Sequence, residues 1–326
     1  MPPALRWSLV GAGSLLIATT LVCLIVAANV GDPKVPMAGN RQPCIDQAIE
    51  GRGPYTFAVI GDSPNAVASF DRIMQKVMAE RPAFIIHTGN LVRENDDGHY
   101  RLAFRGLSKA ALQIPMFVVP GRHETKGGTG VFEKTLGPAT FAFGRAPVSL
   151  IALPDNDGST PDPIALEAAL RPLEGRKICL FTHTPPFDPL QPQFTPRPGW
   201  EQFLQLCRQY QVAYVFSGRS PRYARHQFDL TAFIAEGEAD APDHKMTVTI
   251  VEATKDYVRE HPLSIETTTD WTESVVHFSV GHVAQAFRSL PLLWWPATAA
   301  LAALVGWLAF KRTPRPSPPT EPPKPA

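Results

Sequence analysis

Two stretches of the chain, Trp7 to Gly31 and Ser289 to Phe310, carry no charged side chain at all. Each is long enough to cross a hydrocarbon core of roughly 30 Å as a helix. From Tyr55 onward the pattern changes to short apolar runs alternating with amphipathic stretches. It predicts a strand over 55–61, a helix over 65–80, a strand over 83–88, a helix over 98–111 and a strand over 115–120, which read as consecutive βαβ units. In the first of these helices Val67, Phe70, Ile73, Met74, Val77 and Met78 recur at helical spacing, marking one buried face rather than a set of ligands. Further strands are predicted over 139–144, 148–153, 177–182 and 212–217, with helices over 163–171 and 199–210. The last part turns β-rich, over 226–235, 245–253 and 273–280. This alternation predicts an α/β domain of two mixed sheets sandwiched between helices, flanked by N- and C-terminal transmembrane helices.

The domain organisation follows from where the periodicity stops. Residues 1–31 form a short cytoplasmic start and a transmembrane helix, and 32–54, rich in Gly, Pro and polar residues, form an irregular linker. Residues 55–288 are the globular domain, 289–310 the second span and 311–326 a Pro-rich tail expected to be disordered. Val26, Ala27 and Ala28 after a start containing Arg6 leave a cleaved signal peptide open as an alternative for the first span. Cys23 lacks the small preceding residues of a lipid-anchor site and reads as a membrane-buried thiol. Lys311, Arg312 and Arg315 follow the second span and only Arg288 closely precedes it, so the tail is expected in the cytoplasm. With two spans the domain then lies outside, in a periplasm or at the cell surface. Trp294 and Trp295 stand where interfacial anchors of the second span would be.

Composition adds little to this picture except by exclusion. The 326 residues are 44% hydrophobic and 19% charged, as suits one globular domain plus membrane segments. Setting aside Arg6, Lys311, Arg312, Arg315, Lys324 and Glu321 leaves 26 basic and 29 acidic residues, a net charge of −3, so no field for nucleic acid is expected. Of the remaining cysteines, Cys179 falls in an apolar strand and reads as core, and a Cys44–Cys207 bridge is left open.

The candidate chemistry sits at the predicted strand ends. Asp62 in FAVIGDSP, Asn90 in IIHTGNLV, His123 in VVPGRHE, His183 in LFTHTPP and Gly218 in YVFSGRSP each follow or close a strand, where open α/β sheets gather their ligands. Taken in order, over roughly residues 55–235, they resemble the calcineurin-like phosphoesterase family, whose usual motifs are DxH, GDxx, GNH followed by an acid, a lone His, and GHxH. The resemblance implies a two-sheet fold and hydrolysis of phosphoesters by two divalent ions that share a bridging carboxylate. This chain departs from it at most ligand positions. Pro64 replaces a ligand His, Asn90 the bridging carboxylate, Arg122 the Asn of GNH, and Arg219 and Pro221 the two His of GHxH. Only Asp62 and His183 match.

Two divalent ions 3.5 to 4 Å apart repel by roughly 20 kcal/mol at an effective dielectric of 20, and carboxylates normally offset much of that. Here a single carboxylate, Asp62, faces two added guanidinium groups, so a binuclear site is not expected. The reading is a pseudoenzyme that binds or scaffolds at the membrane, with no cofactor. One arginine is expected to pair with Asp62, and Arg122, Arg219 and His183 to offer a site for phosphate or another anion. The alternative is an active metallophosphoesterase hydrolysing phosphomonoesters or phosphodiesters, either with one divalent ion, Mn, Fe or Zn, on Asp62, Asn90 and His183 or with ligands rearranged from outside the matching motifs. On the resemblance, His123 with Glu124 would serve as a residual general-acid pair; on its residues alone, His123 is a hydrogen-bonded loop histidine. His87, inside a strand, reads as a packed residue. A third reading is a structural envelope protein whose spans associate through Gly11, Gly13 and the Ala-rich run 299–303. Beyond the membrane and an anion, a protein partner is expected. No nucleophile elbow, phosphate-cradling loop or HExxH helix offers other chemistry.

Overall fold

The computed structural model describes residues 2–30, 34–51, 53–63, 67–109, 112–155, 160–239, 245–267, 275–276, 278–283 and 291–310. Its helices are α1 (Pro3–Val30), α2 (Gln42–Ile49), α3 (Val67–Ala79), α4 (Asp97–Lys109), α5 (Arg122–Thr125), α6 (Gly130–Leu136), α7 (Pro163–Leu170), α8 (Glu201–Gln209) and α9 (Pro291–Phe310). The strands are β1 (Tyr55–Ile60), β2 (Ile85–His87), β3 (Met116–Val118), β4 (Phe141–Arg145), β5 (Val148–Ala152), β6 (Lys177–Phe181), β7 (Tyr214–Ser220), β8 (Ala224–Phe228), β9 (Thr231–Gly237), β10 (Lys245–Ala253) and β11 (Val258–Glu266). They form two sheets, ordered β11-β10-β1-β2-β3 and β4-β5-β6-β7-β9-β8. Both are mixed: β1, β2 and β3 run parallel, as do β5, β6, β7 and β9, while β4, β8, β10 and β11 are antiparallel to their neighbours.

The near-continuous apolar strands follow from burial on both faces, since successive side chains point to opposite sides. Along β1, Phe57 and Val59 enter the layer between the sheets, while Ala58 and Ile60 face α3 and α6. In the second sheet Cys179 and Phe181 face inward, and Ile178 and Leu180 face α7 and α8. The two-sheet sandwich between helices is thus the expected α/β fold. Phenylalanines join the sheets. Phe84 stacks on Phe57 with ring centroids 5.1 Å apart and meets Phe143 of the other sheet edge-on at 5.5 Å.

Several elements differ from the sequence expectation. The linker is not irregular throughout. Asn40 exchanges hydrogen bonds with the main chain of Val118, and α2 buries Cys44 and Ala48 against the inter-sheet core. The strand predicted over 226–235 is the hairpin β8–β9, broken where Asp229 takes a φ of +51°. β11 was hidden by its charges and Pro262, both compatible with an edge strand. The strand expected over 273–280 lies partly outside the described residues, and Phe278–Val283 is a π-helical turn packed on α1 and α4. All four cysteines are free, so the Cys44–Cys207 bridge does not form; Cys44 lies between the sheets and Cys207 in the layer under α8.

Among the described residues, one helix is long and apolar enough to cross a membrane: Ala4–Ile25, 22 residues with mean hydropathy 2.2. α9 carries an apolar stretch, Thr298–Ala309, preceded within the helix by Pro296. α1 and α9 pack antiparallel. Arg6 donates to the carbonyl oxygens of Leu308 and Ala309, the free acceptors of the α9 end. Gly13 meets Val305 closely enough that a Cβ there would lie 2.5 Å from a valine methyl.

Phe84 is fully buried and links both sheets. Phe84→Ala should lower stability by about 3–5 kcal/mol in denaturant titration, and a loss well under 1 kcal/mol would contradict this packing.

Candidate functional site

The carboxyl ends of both sheets meet. Asp62 follows β1, Asn90 follows β2, Arg122 and His123 follow β3, His183 follows β6, and Arg219 lies near the end of β7. Asp62 is at the centre and almost wholly buried. Its Oδ2 accepts from Asn90 Nδ2 at 2.7 Å and its Oδ1 from the main-chain N–H of Arg219 at 2.9 Å. The orientation of the Asn90 amide is set by a further bond, because its Oδ1 accepts the N–H of His123 at 3.1 Å. Burial pushes the Asp62 carboxyl up, against the opposing pull first of His183, then of the Arg219 and Asn90 hydrogen bonds.

Two unusual backbone positions make this possible. Asn90 and Arg219 have φ of +54° and +51°, a left-handed conformation that Asn tolerates and Arg rarely adopts. In that conformation the Arg219 amide donates to Asp62. Gly218 must be glycine, since a Cβ would stand 2.5 Å from Asp62 Oδ1. The expected arginine–Asp62 pair is thus made by a main-chain amide. The Arg219 guanidinium instead donates to Thr184 Oγ1 at 3.2 Å.

His183 is fully buried, and its Nδ1–H donates to the carbonyl oxygen of Thr88 at 2.9 Å. Nδ1 also lies 3.8 Å from Asp62 Oδ1, a weaker contact that the carbonyl bond outcompetes. Nε2 then has no hydrogen-bond partner among the described residues. Beneath, His87 accepts from the Gly89 N–H at Nδ1 and donates to Ser63 Oγ at 2.9 Å, as a neutral imidazole does. Burial, and secondarily the charge of His183, lowers its pKa from 6.5 to about 3. His87 is the packed residue expected.

Glu124 has a different place from the one implied by resemblance. Its buried carboxylate accepts three main-chain N–H groups, from Asn90 and Gly121 at Oε2 and from Val92 at Oε1, at 2.8–2.9 Å. It ties the loop after β2 to the loop after β3, and no hydrogen bond joins it to the His123 ring among the described residues. The His123 Nδ1–H instead donates to the Arg93 carbonyl.

Arg122 projects into a cavity of 640 Å³ that it lines with Glu94, His123, Thr125, Lys126 and Thr129. Lys126 and Glu94 pair at 2.9 Å and largely cancel, so among the described lining residues Arg122 carries the charge without an ion-pair partner. The anion cleft expected from Arg122, Arg219 and His183 is therefore not one cavity, because His183 is buried and the Arg219 guanidinium turns to Thr184. Asp155, a buried carboxylate after β5 that accepts the Thr184 N–H, went unnoticed in the sequence. Its only signal there was its position after a predicted strand.

The donor set does not suit a pair of metal ions. Among the described residues no three His, Cys, Asp or Glu side chains converge as a metal site requires. Both Asp62 oxygens and the Asn90 oxygen already hold hydrogen bonds from protein donors. Among Asp62, Asn90 and His183, the His183 Nε2 is the ligand atom left without a hydrogen bond from the described residues. Pro64 lies outside the described residues.

Residues 55–218, half of the chain, match the family description "calcineurin-like phosphoesterase". No curated protein matches the sequence. Similar solved structures include a purple acid phosphatase from yellow lupin seeds, 13% identical with a TM-score of 0.51, covering 68% of this chain and 55% of that one. A dimetal phosphatase from Danio rerio is 13% identical with a TM-score of 0.49, over 67% of this chain and all of its own. GAP50, the anchor in the inner membrane complex of Plasmodium, is 13% identical with a TM-score of 0.48, over 71% of this chain and 96% of its own.

Glu124→Gln places an amide NH₂ against backbone donors, and stability should fall by about 3 kcal/mol or more in denaturant titration. An unchanged midpoint would contradict the clamp. His87 makes a second expectation. Its folded pKa, about 3, is depressed below 6.5, so its contribution is complete above the unfolded value and is lost as pH falls toward the folded one. The slope from this group approaches about 1.4 kcal/mol per pH unit. Between those limits His87→Gln should flatten the pH dependence of stability relative to wild type; parallel curves would show that His87 is not held neutral.

Proposed function

The chain belongs to the calcineurin-like phosphoesterase family, and from that premise we propose that it is a membrane-tethered binding protein whose phosphoesterase fold no longer hydrolyses. The observation that carries this reading is the closure of Asp62 by Asn90 and the Arg219 amide. In a metal site those oxygens would face cations; here neutral donors take them, and Asn90 adds no charge to offset divalent ions. The domain lies outside the membrane with α1 as its anchor and the basic tail residues Lys311, Arg312 and Arg315 in the cytoplasm.

The ligand is an anion of the phosphate class, bound in the cavity beside the closed site. The Arg122 guanidinium has no hydrogen bond or ion pair among the described residues, and such a group binds phosphate oxygens in a two-pronged fashion. His123, anchored on the Arg93 carbonyl, lines the same wall. A second reading rests on the bare His183 Nε2, buried beside Asp62, which would be the first ligand of one divalent ion.

Calorimetric titration of the full chain in neutral detergent with inorganic phosphate should give saturable binding, weakened about ten-fold or more in Arg122→Ala. The same preparation should leave p-nitrophenyl phosphate intact with manganese, iron or zinc added. Metal-dependent hydrolysis abolished by both Asp62→Ala and His183→Ala would establish the active enzyme instead.

A further inference from the structure

A second basic cavity lies apart from the strand-end site, against the base of α1. It measures 370 Å³, within the usual range for small-molecule sites, and Lys34, Arg101 and Lys134 line it together with Asp97, Tyr100 and Phe104. Lys34 follows closely on Val30, where α1 ends; α4 supplies Asp97, Tyr100, Arg101 and Phe104; α6 supplies Lys134. α1 packs on α4, so the cavity sits beside the point where the apolar helix gives way to the globular domain. Among the described residues that line it, three cations stand beside one carboxylate, on a region whose net charge is negative. The side chains of Lys34 and Lys134 are exposed and make no hydrogen bond or ion pair among the described residues. Tyr100 and the half-buried Phe104 give the cavity an apolar wall.

We propose that this cavity binds the phosphate headgroup of an anionic membrane lipid. The position selects a lipid over a free phosphate. With α1 in a bilayer, Lys34 stands at headgroup depth, where lipid phosphate is concentrated and fixed, and the aromatic wall receives the glycerol and upper acyl chain beside the charged group. Attraction of this kind contributes about five-fold in affinity per basic residue near an anionic surface and weakens as salt rises. The inference goes beyond the Arg122 cleft and rests on the membrane position of α1.

The test is native mass spectrometry of the full chain in neutral detergent, titrated with short-chain phosphatidylglycerol, with short-chain phosphatidylcholine and, in a third arm, with inorganic phosphate as competitor. Phosphatidylglycerol should bind in preference to phosphatidylcholine, and the double variant Lys34→Gln, Lys134→Gln should weaken it about 25-fold. The charge-matched control Lys76→Gln, Lys255→Gln, both exposed and outside the cavity, should bind as wild type. Circular dichroism confirms that both variants fold. Equal binding of the two lipids, or equal loss in the two double variants, overturns the proposal. Displacement of the lipid by phosphate at matching concentration overturns the choice of a lipid. Extraction of the full chain from membranes by alkaline carbonate would instead overturn the membrane position of α1, a separate failure from an anchored chain without lipid preference.

Discussion

A buried carboxylate needs donors or cations around it, and the arrangement of Asp62 governs what the rest of the site can be. Its two oxygens are held by Asn90 and by the amide of Arg219, one after β2 of the first sheet and one at the end of β7 of the second. One side chain therefore joins the carboxyl ends of both sheets. The left-handed turns at Asn90 and Arg219 and the glycine at 218 serve that geometry. Glu124 extends it, fixing the loops after β2 and β3 through three amides and leaving Arg122 at the edge of an open cavity. The backbone architecture of a strand-end active site is present, and hydrogen bonds hold it.

Much of this was legible in the residues, for identifiable reasons. Strands buried on both faces, such as YTFAVI and KICLF, read as continuous apolar runs, and their order located the turn motifs at the sheet ends. Side-chain identity at those motifs also revealed which ligands are missing. What could not be read was the choice between side chain and main chain. Nothing in GRS says that Arg219 gives Asp62 its amide while its guanidinium goes to Thr184. Nor does GRHE say that Glu124 turns inward to backbone amides, since that depends on three residues from two loops. α2 was missed because its buried residues, Cys44 and Ala48, are few and small, and β11 because an edge strand carries charge and Pro262 at little cost.

The two apolar helices and the domain form a connected structure. Arg6 satisfies carbonyls at the end of α9, and the π-helical turn before α9 lies on α1 and α4. The basic cavity at the foot of α1 thus belongs to the junction of that helix and the domain, whereas Arg122 belongs to the strand ends. Two basic cavities on an otherwise acidic chain segment, one beside α1 and one beside the closed carboxylate, are what the proposed anion binding rests on.

The central claim is that protein donors, not metal ions, complete the coordination of Asp62. Elemental mass spectrometry of the full chain, purified without chelator and then equilibrated with manganese, iron and zinc, tests it most directly. The account predicts far less than one ion per chain and the same content in His183→Ala. Tightly held metal at one or two ions per chain, lost in His183→Ala, would contradict it.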